Sequence, residues 1–157
     1  MAYSVVRNRE RAGDMVIEQL KGEVKMIKTL LDGYKSEIGE EVLTEAHILA
    51  LEKAILQNDI IFFVAKYEQE YIAMCSISKT FSTFNCKYSG VFEDFYVVPK
   101  YRKQGIAKSL VEFIFNYCSK NYIYSLWVGC ADCDVEMYKH LGFEIPLGNL
   151  LTWSSEF

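Results

Sequence analysis

The chain has 157 residues, of which 51% are hydrophobic and 24% are charged, a composition typical of a folded globular protein. This length favours one domain over residues 1–157. The net charge of −4 argues against nucleic-acid binding as the main task, because phosphate contacts need a basic face. No apolar run is long enough to span a membrane, and five scattered cysteines indicate reduced thiols in the cytoplasm.

Helical and strand patterns follow one another through the first half of the chain. Thr44 suits the N-cap of the second predicted helix. The polar residues Glu68, Gln69 and Glu70 separate two segments rich in Ile, Phe, Val and Tyr, which predicts a β-hairpin. In chain order, the predicted elements are a strand Tyr3–Arg7, helices Gly13–Leu31 and Thr44–Gln57, strands Asp59–Tyr67 and Tyr71–Lys79, and a loop Thr80–Ser89.

In the second half, Pro99 ends a strand and an amphipathic helical repeat follows it. Gly142 is predicted to close a short helix as its C′ residue. The predicted elements are a strand Val91–Val98, a helix Gln104–Lys120, a strand Tyr122–Val128, a helix Asp134–Leu141 and a final hairpin Phe143–Trp153. Because hairpins and helical crossovers both occur, the order predicts an α/β (α+β) domain with a mixed sheet.

The turn between that strand and helix, Pro99–Ala107, has the features of an anion site. Gly105 and Ala107 are small, so the backbone can approach a ligand closely at the start of the helix. The first N–H groups of a helix have no partner inside it and attract anions, and Arg102 and Lys103 add positive charge. The pattern R-x-x-G-x-A taken alone is also compatible with an ordinary helix start. A Rossmann or Walker site is excluded, because neither G-x-G-x-x-G nor G-K-[ST] is present.

Two segments carry a resemblance to a known family. Glu93–Ala107, EDFYVVPKYRKQGIA, resembles motif A of the GNAT acetyltransferase superfamily, whose signature is [QR]-x-x-G-x-[GA]. Met137–Phe143, MYKHLGF, resembles the L-Y-x-x-x-G-F segment of the family's motif B. The resemblance implies a mostly antiparallel central sheet flanked by helices, and an N-acetyltransferase activity. Ala131 and Asp134 depart from motif B, which usually has Asn and Ala there.

The resemblance also implies a co-substrate, acetyl-CoA, and an acceptor, which is a primary amine of a small molecule or a protein. No metal is expected. Dimerisation is common in the family, which leaves a homodimer open. A non-catalytic acyl-CoA-binding or regulatory module on the same fold is the alternative function. The implied cofactor-binding residues are Tyr96, Val97, Val98, Arg102, Lys103, Gln104, Gly105, Ile106, Ala107, Lys108 and Ser109.

Acetyl transfer to an amine needs a proton acceptor and a proton donor. Deprotonating a lysine-like amine at pH 7 costs roughly 4.6 kcal/mol, and a positioned carboxylate lowers that cost. Glu93 and Asp94 interrupt an apolar strand and are expected to point to opposite faces, so only one can face the acetyl group, and structural hydrogen bonds are the alternative role for either. The resemblance implies that Glu93 is the base. Tyr138 stands where the family places the tyrosine that protonates the leaving thiolate, at a cost of roughly 2 kcal/mol for an ordinary tyrosine.

The remaining reactive side chains are interpreted as structural. Cys130 and Cys133 form one C-x-x-C pair without the further ligands that a zinc site needs. We interpret them as ordinary half-buried cysteines, because nothing else in the chain supports redox chemistry. His47 and His140 are interpreted as surface or packing residues.

Overall fold

A five-stranded sheet forms the centre of the molecule, in the spatial order β1-β2-β3-β4-β5. The computed structural model describes residues 15–146 and residue 148. Neighbouring strands are antiparallel from β1 to β4, and β5 runs parallel to β4. The predicted mixed, mostly antiparallel sheet is therefore confirmed. The strands are β1 Met15–Gln19, β2 Ile60–Tyr67, β3 Glu70–Ser82, β4 Lys87–Val97 and β5 Ile123–Trp127.

Helices cover both faces of the sheet. Thr44 caps its helix as predicted, since its hydroxyl oxygen accepts a hydrogen bond from the His47 backbone N–H at 3.3 Å. Within residues 15–146, none of the helices has the length and apolar character needed to cross a membrane. The helices are α1 Lys28–Glu37, α2 Glu45–Gln57, α3 Ile106–Lys120 and α4 Val135–His140, with short 3₁₀ turns at Val24–Ile27, Pro99–Tyr101 and Asp132–Asp134.

Strand alternation divides the buried residues into two cores. On β2, Phe63 packs with the apolar stripe of α3, whereas Phe62 and Val64 pack with α1 and α2. On β3, Met74 lies on the α1–α2 side and Cys75 on the α3 side. The sheet therefore has two faces, which we call the α1–α2 face and the α3 face.

The predicted helix Gly13–Leu31 is wrong over most of its length. Its first described part is β1, in which Met15 and Ile17 are buried and pair antiparallel with β2. Gly22 and Glu23 then adopt left-handed backbone angles, φ 125° and 54°, which interrupt regular structure before α1. The helix begins only at Lys28 and continues beyond the predicted end, to Glu37.

The predicted loop Thr80–Ser89 is also wrong, because β3 and β4 continue into it as a hairpin. Their pairing extends to Ser82↔Lys87. Phe81 and Tyr88 stabilise this extension through an edge-to-face ring contact at 5.1 Å. The predicted strand Tyr3–Arg7 lies outside the described residues, as does most of the predicted hairpin Phe143–Trp153, of which residues 143–146 form no strand.

Candidate active site

A gap in the sheet lies beside the second half of β4. Pairing between β4 and β5 ends at Val91↔Trp127, whereas β4 continues to Val97. Within the described part of the chain, no strand pairs with β4 on that side beyond Val91. Backbone N–H and C=O groups of a strand need partners. The edge of β4 from Phe92 to Val97 can therefore pair with a bound, extended ligand.

The N-terminus of α3 lies just beyond the end of β4. Gly105 is its N-cap with φ 83°, and the first helical hydrogen bond runs from Ser109 N–H to the Gly105 carbonyl at 3.0 Å. The N–H groups of Ile106, Ala107 and Lys108 consequently have no acceptor within the helix. A Cβ at position 105 would meet no atom within 4 Å, so the space beside Gly105 is open. This helix end can therefore bind an anionic group such as a phosphate.

Arg102 contacts the protein rather than projecting in front of α3. Its Nη2 pairs with Glu37 Oε2 at 2.5 Å, and its Nε donates to the Val97 carbonyl at 2.8 Å. Its guanidinium also lies 5.6 Å from the centre of the Tyr96 ring. Arg102 thus joins the turn before α3 to both α1 and β4.

Other residues implied in cofactor binding contribute mainly through their backbone. Ile106 is buried in the α3 core, and the Gln104 side chain donates to the Lys100 carbonyl at 3.0 Å. Lys108 pairs at 3.9 Å with Glu112 along its own helix. Lys103 is exposed in a left-handed turn with φ 60°, which leaves its charge at the surface of the turn. Tyr96 and Val97 are buried on opposite faces, whereas Val98 is half-buried.

Two serines of β3 hold the two candidate bases. Ser76 donates to Asp94 Oδ2 at 2.6 Å, and Ser78 donates to Glu93 Oε2 at 3.0 Å. Ser76 and Ser78 lie two and four residues after Met74 on β3, so both serines share its face of the sheet, the α1–α2 face. Both carboxylates therefore lie on that face. The expectation that Glu93 and Asp94 point to opposite faces is wrong, because a β-bulge with Asp94 at φ 53° breaks the alternation of β4.

Tyr34, on α1, lies on the same face and was not found by sequence reasoning. Its ring centroid is 6.4 Å from that of Tyr96, and its side chain is half-buried. Burial, followed by the negative charges of Asp94 and Glu93, raises the pKa of the Tyr34 hydroxyl. No sequence signal marks this residue, since it reaches the carboxylates only when α1 packs on β4.

Tyr138 approaches the gap from the α3 face. It belongs to an aromatic cluster in which its ring centroid lies 6.2 Å from that of Phe95 and 5.9 Å from that of Phe143. Burial, aided by nearby groups that include Cys130 and Tyr34, raises the pKa of Tyr138 to about 12. The tyrosine therefore retains its proton throughout the neutral range and can act as a donor. Tyr138 and the two carboxylates therefore lie on opposite faces of the sheet, beside the same part of β4, which lacks a partner strand.

The cysteines beside this site differ from the sequence interpretation. Cys130 and Cys133 are exposed rather than half-buried, because they lie in the open segment between β5 and α4. His47 and His140 are exposed, as expected. Among the described residues, no group of three or more His, Cys, Asp or Glu side chains is arranged to hold a metal ion.

Comparison with known proteins identifies the chain as an acyltransferase. The model of the acetyltransferase (GNAT) family matches residues 25–143, which is most of the chain, and the chain therefore belongs to that family. The resemblance inferred from the two sequence motifs is thus confirmed. No curated protein is a significant sequence match to this chain.

Several solved structures share the fold at low sequence identity. A probable acetyltransferase has a TM-score of 0.78 and 20% identity, with 88% of this chain and 97% of that chain covered. Glucosamine-6-phosphate N-acetyltransferase from Arabidopsis thaliana has a TM-score of 0.70 and 18% identity, with 87% and 97% covered. A predicted acetyltransferase from Clostridium acetobutylicum, solved with acetyl-CoA, has a TM-score of 0.69 and 19% identity, with 88% and 95% covered.

Proposed function

We propose that this protein transfers an acetyl group from acetyl-CoA to a primary amine by direct attack in a ternary complex. The observation that carries the proposal is the gap beside β4, which has two carboxylates on one face of the sheet and Tyr138 on the other. An amine that enters from the α1–α2 face can pass its proton to one of the two carboxylates. A thiolate that leaves towards the α3 face finds a proton on Tyr138.

The chain offers backbone groups for the pyrophosphate and for the pantetheine arm of acetyl-CoA, which supplies the activated acyl group. The N–H groups of Ile106, Ala107 and Lys108 would bind the pyrophosphate, with the charge of Lys103 nearby. Ser109 follows at the same helix end. The backbone of Tyr96 and Val97 would pair with the pantetheine arm and donate an N–H to the carbonyl oxygen that becomes negative during attack, because the Val98 N–H already donates to the Ile72 carbonyl at 2.9 Å. Cys130 or Asp132 would replace the motif B asparagine.

Glu93 is the proposed base. Its carboxylate is exposed towards the acceptor side and is oriented by Ser78 at 3.0 Å. Asp94 is half-buried and more tightly held by Ser76, at 2.6 Å, which favours a role in orienting the acceptor. Among the described residues, neither carboxylate forms an ion pair with a Lys or Arg side chain. Both carboxylates are therefore available to bind a cationic amine, and Glu93 is available to accept its proton.

The acceptor class follows from the same surface. Two carboxylates and the Tyr34 hydroxyl present hydrogen-bond acceptors to an incoming ammonium group. The neighbour named for glucosamine-6-phosphate supports a small-molecule amine. A lysine-containing peptide is the second class that the experiment must include.

The proposal is tested in two stages. Acetyl-CoA at a hundred times its dissociation constant should stabilise the protein by about 2.7 kcal/mol, which corresponds to a rise in Tm of about 5–10 °C. A panel of amino sugars, aliphatic amines and lysine peptides is then incubated with acetyl-CoA, and acetylated amine is detected by mass spectrometry. Glu93→Gln should abolish most product formation without changing the thermal shift.

Two outcomes would contradict the proposal. A Tm that acetyl-CoA leaves unchanged would exclude binding of acetyl-CoA by the turn Pro99–Gly105 and the N-terminus of α3, which together we call the cofactor cradle. Stabilisation without product from any amine would instead favour a non-catalytic acyl-CoA-binding module. Glu18→Gln serves as the matched control, because this exposed glutamate lies on the edge strand β1, separated from β4 by β2 and β3, and forms none of the described ion pairs.

A further inference from the structure

The Arg102 side chain contacts three other residues, and one of these lies in a distant part of the chain. Two contacts are local to β4, namely the Val97 carbonyl at 2.8 Å and the Tyr96 ring at 5.6 Å. The third is Glu37, whose carboxylate lies 2.5 Å from Arg102 Nη2. Among the described residues, Glu37 is the only carboxylate that pairs with Arg102, the first residue of the R-x-x-G-x-A pattern.

Glu37 occupies an electrostatically unfavourable place in its own helix. It is the last residue of α1, where the unpaired carbonyl groups concentrate negative partial charge. A carboxylate there is destabilising unless an opposite charge compensates it. Arg102 provides that charge, so the pair links the end of α1 to the turn before α3.

The same helix contacts the acceptor side of the gap. Gly33 lies so close to Tyr96 that an added Cβ would come within 2.7 Å of the Tyr96 hydroxyl oxygen. Tyr34, the next residue, faces Asp94 and Glu93 and packs near the same ring. Tyr96 is therefore contacted by α1 and by Arg102 together, and it connects the turn with the acceptor side.

We infer that Glu37 is a positioning residue, which fixes the turn Pro99–Gly105 against α1 through Arg102 and so couples acetyl-CoA binding to the helix that carries Tyr34. The inference rests on the proposed acetyl-CoA cradle. Glu70 anchors the same turn independently, since it accepts hydrogen bonds from Tyr101 Oη at 2.7 Å and Lys100 Nζ at 3.0 Å. Glu70 does not contact α1 in any described interaction, which separates general anchoring from coupling.

A double-mutant cycle tests the first half of the inference. The dissociation constant of acetyl-CoA is measured by calorimetry for wild type, Glu37→Gln, Arg102→Gln and the double variant. Glu37→Gln should weaken binding by about two- to fivefold, the range of an exposed ion pair, and this loss should shrink at high salt. In the Arg102→Gln background the same substitution should change binding by less than about 1.5-fold, because Glu37 acts through Arg102.

Glu40→Gln is the matched control. Glu40 follows α1, is exposed and pairs only loosely with Lys35, at 3.8 Å. The Glu40→Gln variant should bind acetyl-CoA with the dissociation constant of wild type. An equal loss for Glu37→Gln in both backgrounds, or tighter binding caused by removal of a negative charge near the phosphates, would overturn the positioning role.

Amide hydrogen exchange tests the coupling to α1. Acetyl-CoA should slow exchange at the N-terminus of α3 in wild type, Glu37→Gln and Glu40→Gln. It should also slow exchange in α1, residues 28–37, but only where Glu37 is intact. A merely structural role would not make the response of α1 depend on Glu37. If acetyl-CoA slowed exchange in α1 of Glu37→Gln as much as in wild type, the coupling would be overturned. If acetyl-CoA left exchange at the N-terminus of α3 unchanged in wild type, the proposed acetyl-CoA site itself would be refuted.

Discussion

Removal of the Tyr138 hydroxyl should slow acetyl transfer much more than it weakens acetyl-CoA binding. Its raised pKa, about 12, exceeds that of a free thiol, about 8.5, by roughly 3.5 units. Full proton transfer to a free thiolate therefore costs about 4.8 kcal/mol, at 1.36 kcal/mol per unit. This exceeds the roughly 2 kcal/mol expected for an ordinary tyrosine. Tyr138 should thus help mainly as a hydrogen-bond donor while the sulfur is leaving.

We accordingly expect Tyr138→Phe to lower kcat by about a hundredfold, the low end of the range for general acid catalysis. Binding of acetyl-CoA, measured by calorimetry, should change by less than about threefold, because the ring keeps its contacts with Phe95 and Phe143. Tyr124→Phe is the matched control, since Tyr124 is exposed on β5 and its ring lies 4.5 Å from Lys87 Nζ. It should retain full activity.

The pH dependence of this loss distinguishes a buried tyrosine from an ordinary one. The raised pKa keeps the hydroxyl protonated below pH 12, so the ratio of wild-type to Tyr138→Phe activity should stay constant from about pH 7 to about pH 10. Rates are followed by loss of thioester absorbance. A ratio that collapses near pH 10 would indicate an ordinary tyrosine. A kcat within about twofold of wild type would remove Tyr138 from the mechanism.

Three further predictions concern the base and two glycines. Glu93→Gln should lose activity, and the loss should shrink as pH rises towards the amine pKa of about 10.4, whereas a loss that is independent of pH would argue against a base. Gly105→Ala should weaken acetyl-CoA binding severalfold in calorimetry, because a side chain strains this left-handed position at the start of α3. The control is Gly22→Ala, which also has a positive φ, 125° against 83°, and open space around an added Cβ, but lies between β1 and the Val24–Ile27 turn. Gly33→Ala should lower the free energy of unfolding by about 1 kcal/mol in denaturant titration, because crowding of Tyr96 outweighs the gain in helix propensity, and Tyr96→Phe should relieve that loss.

Much of the second half of the fold follows from local sequence. Periodic apolar residues predict α3 within two residues of its observed start, Ile106, and at its observed end, Lys120. Pro99 and Gly105 mark the turn that precedes it, and Gly142 closes α4 with φ 106° as predicted. These features depend on backbone preferences and short-range hydrogen bonds, which a sequence window contains.

The errors arise where distant segments decide the outcome. Met15–Gln19 is predicted to be helical because its apolar residues fit both the helical period of 3.6 residues and the strand period of two. Only pairing with β2 makes this segment a strand. Strand alternation would separate Glu93 from Asp94, and only the bulge opposite Cys75 brings both to one face. Glu37 and Tyr34 belong to no motif, since their importance depends on how α1 packs against β4.

Two of the five cysteines are buried between α3 and the sheet, so their reactivity reports the separation of these two elements. Cys86, Cys130 and Cys133 are exposed, so an alkylating reagent should modify them at once, and any assay that counts thiols must subtract them. Cys75 on β3 and Cys118 on α3 are buried in one core, and burial raises the pKa of Cys118 to about 12. Since a thiol reacts as its thiolate, this pair reacts only when α3 separates from the sheet. Their labelling rate would therefore time that separation, without any introduced probe.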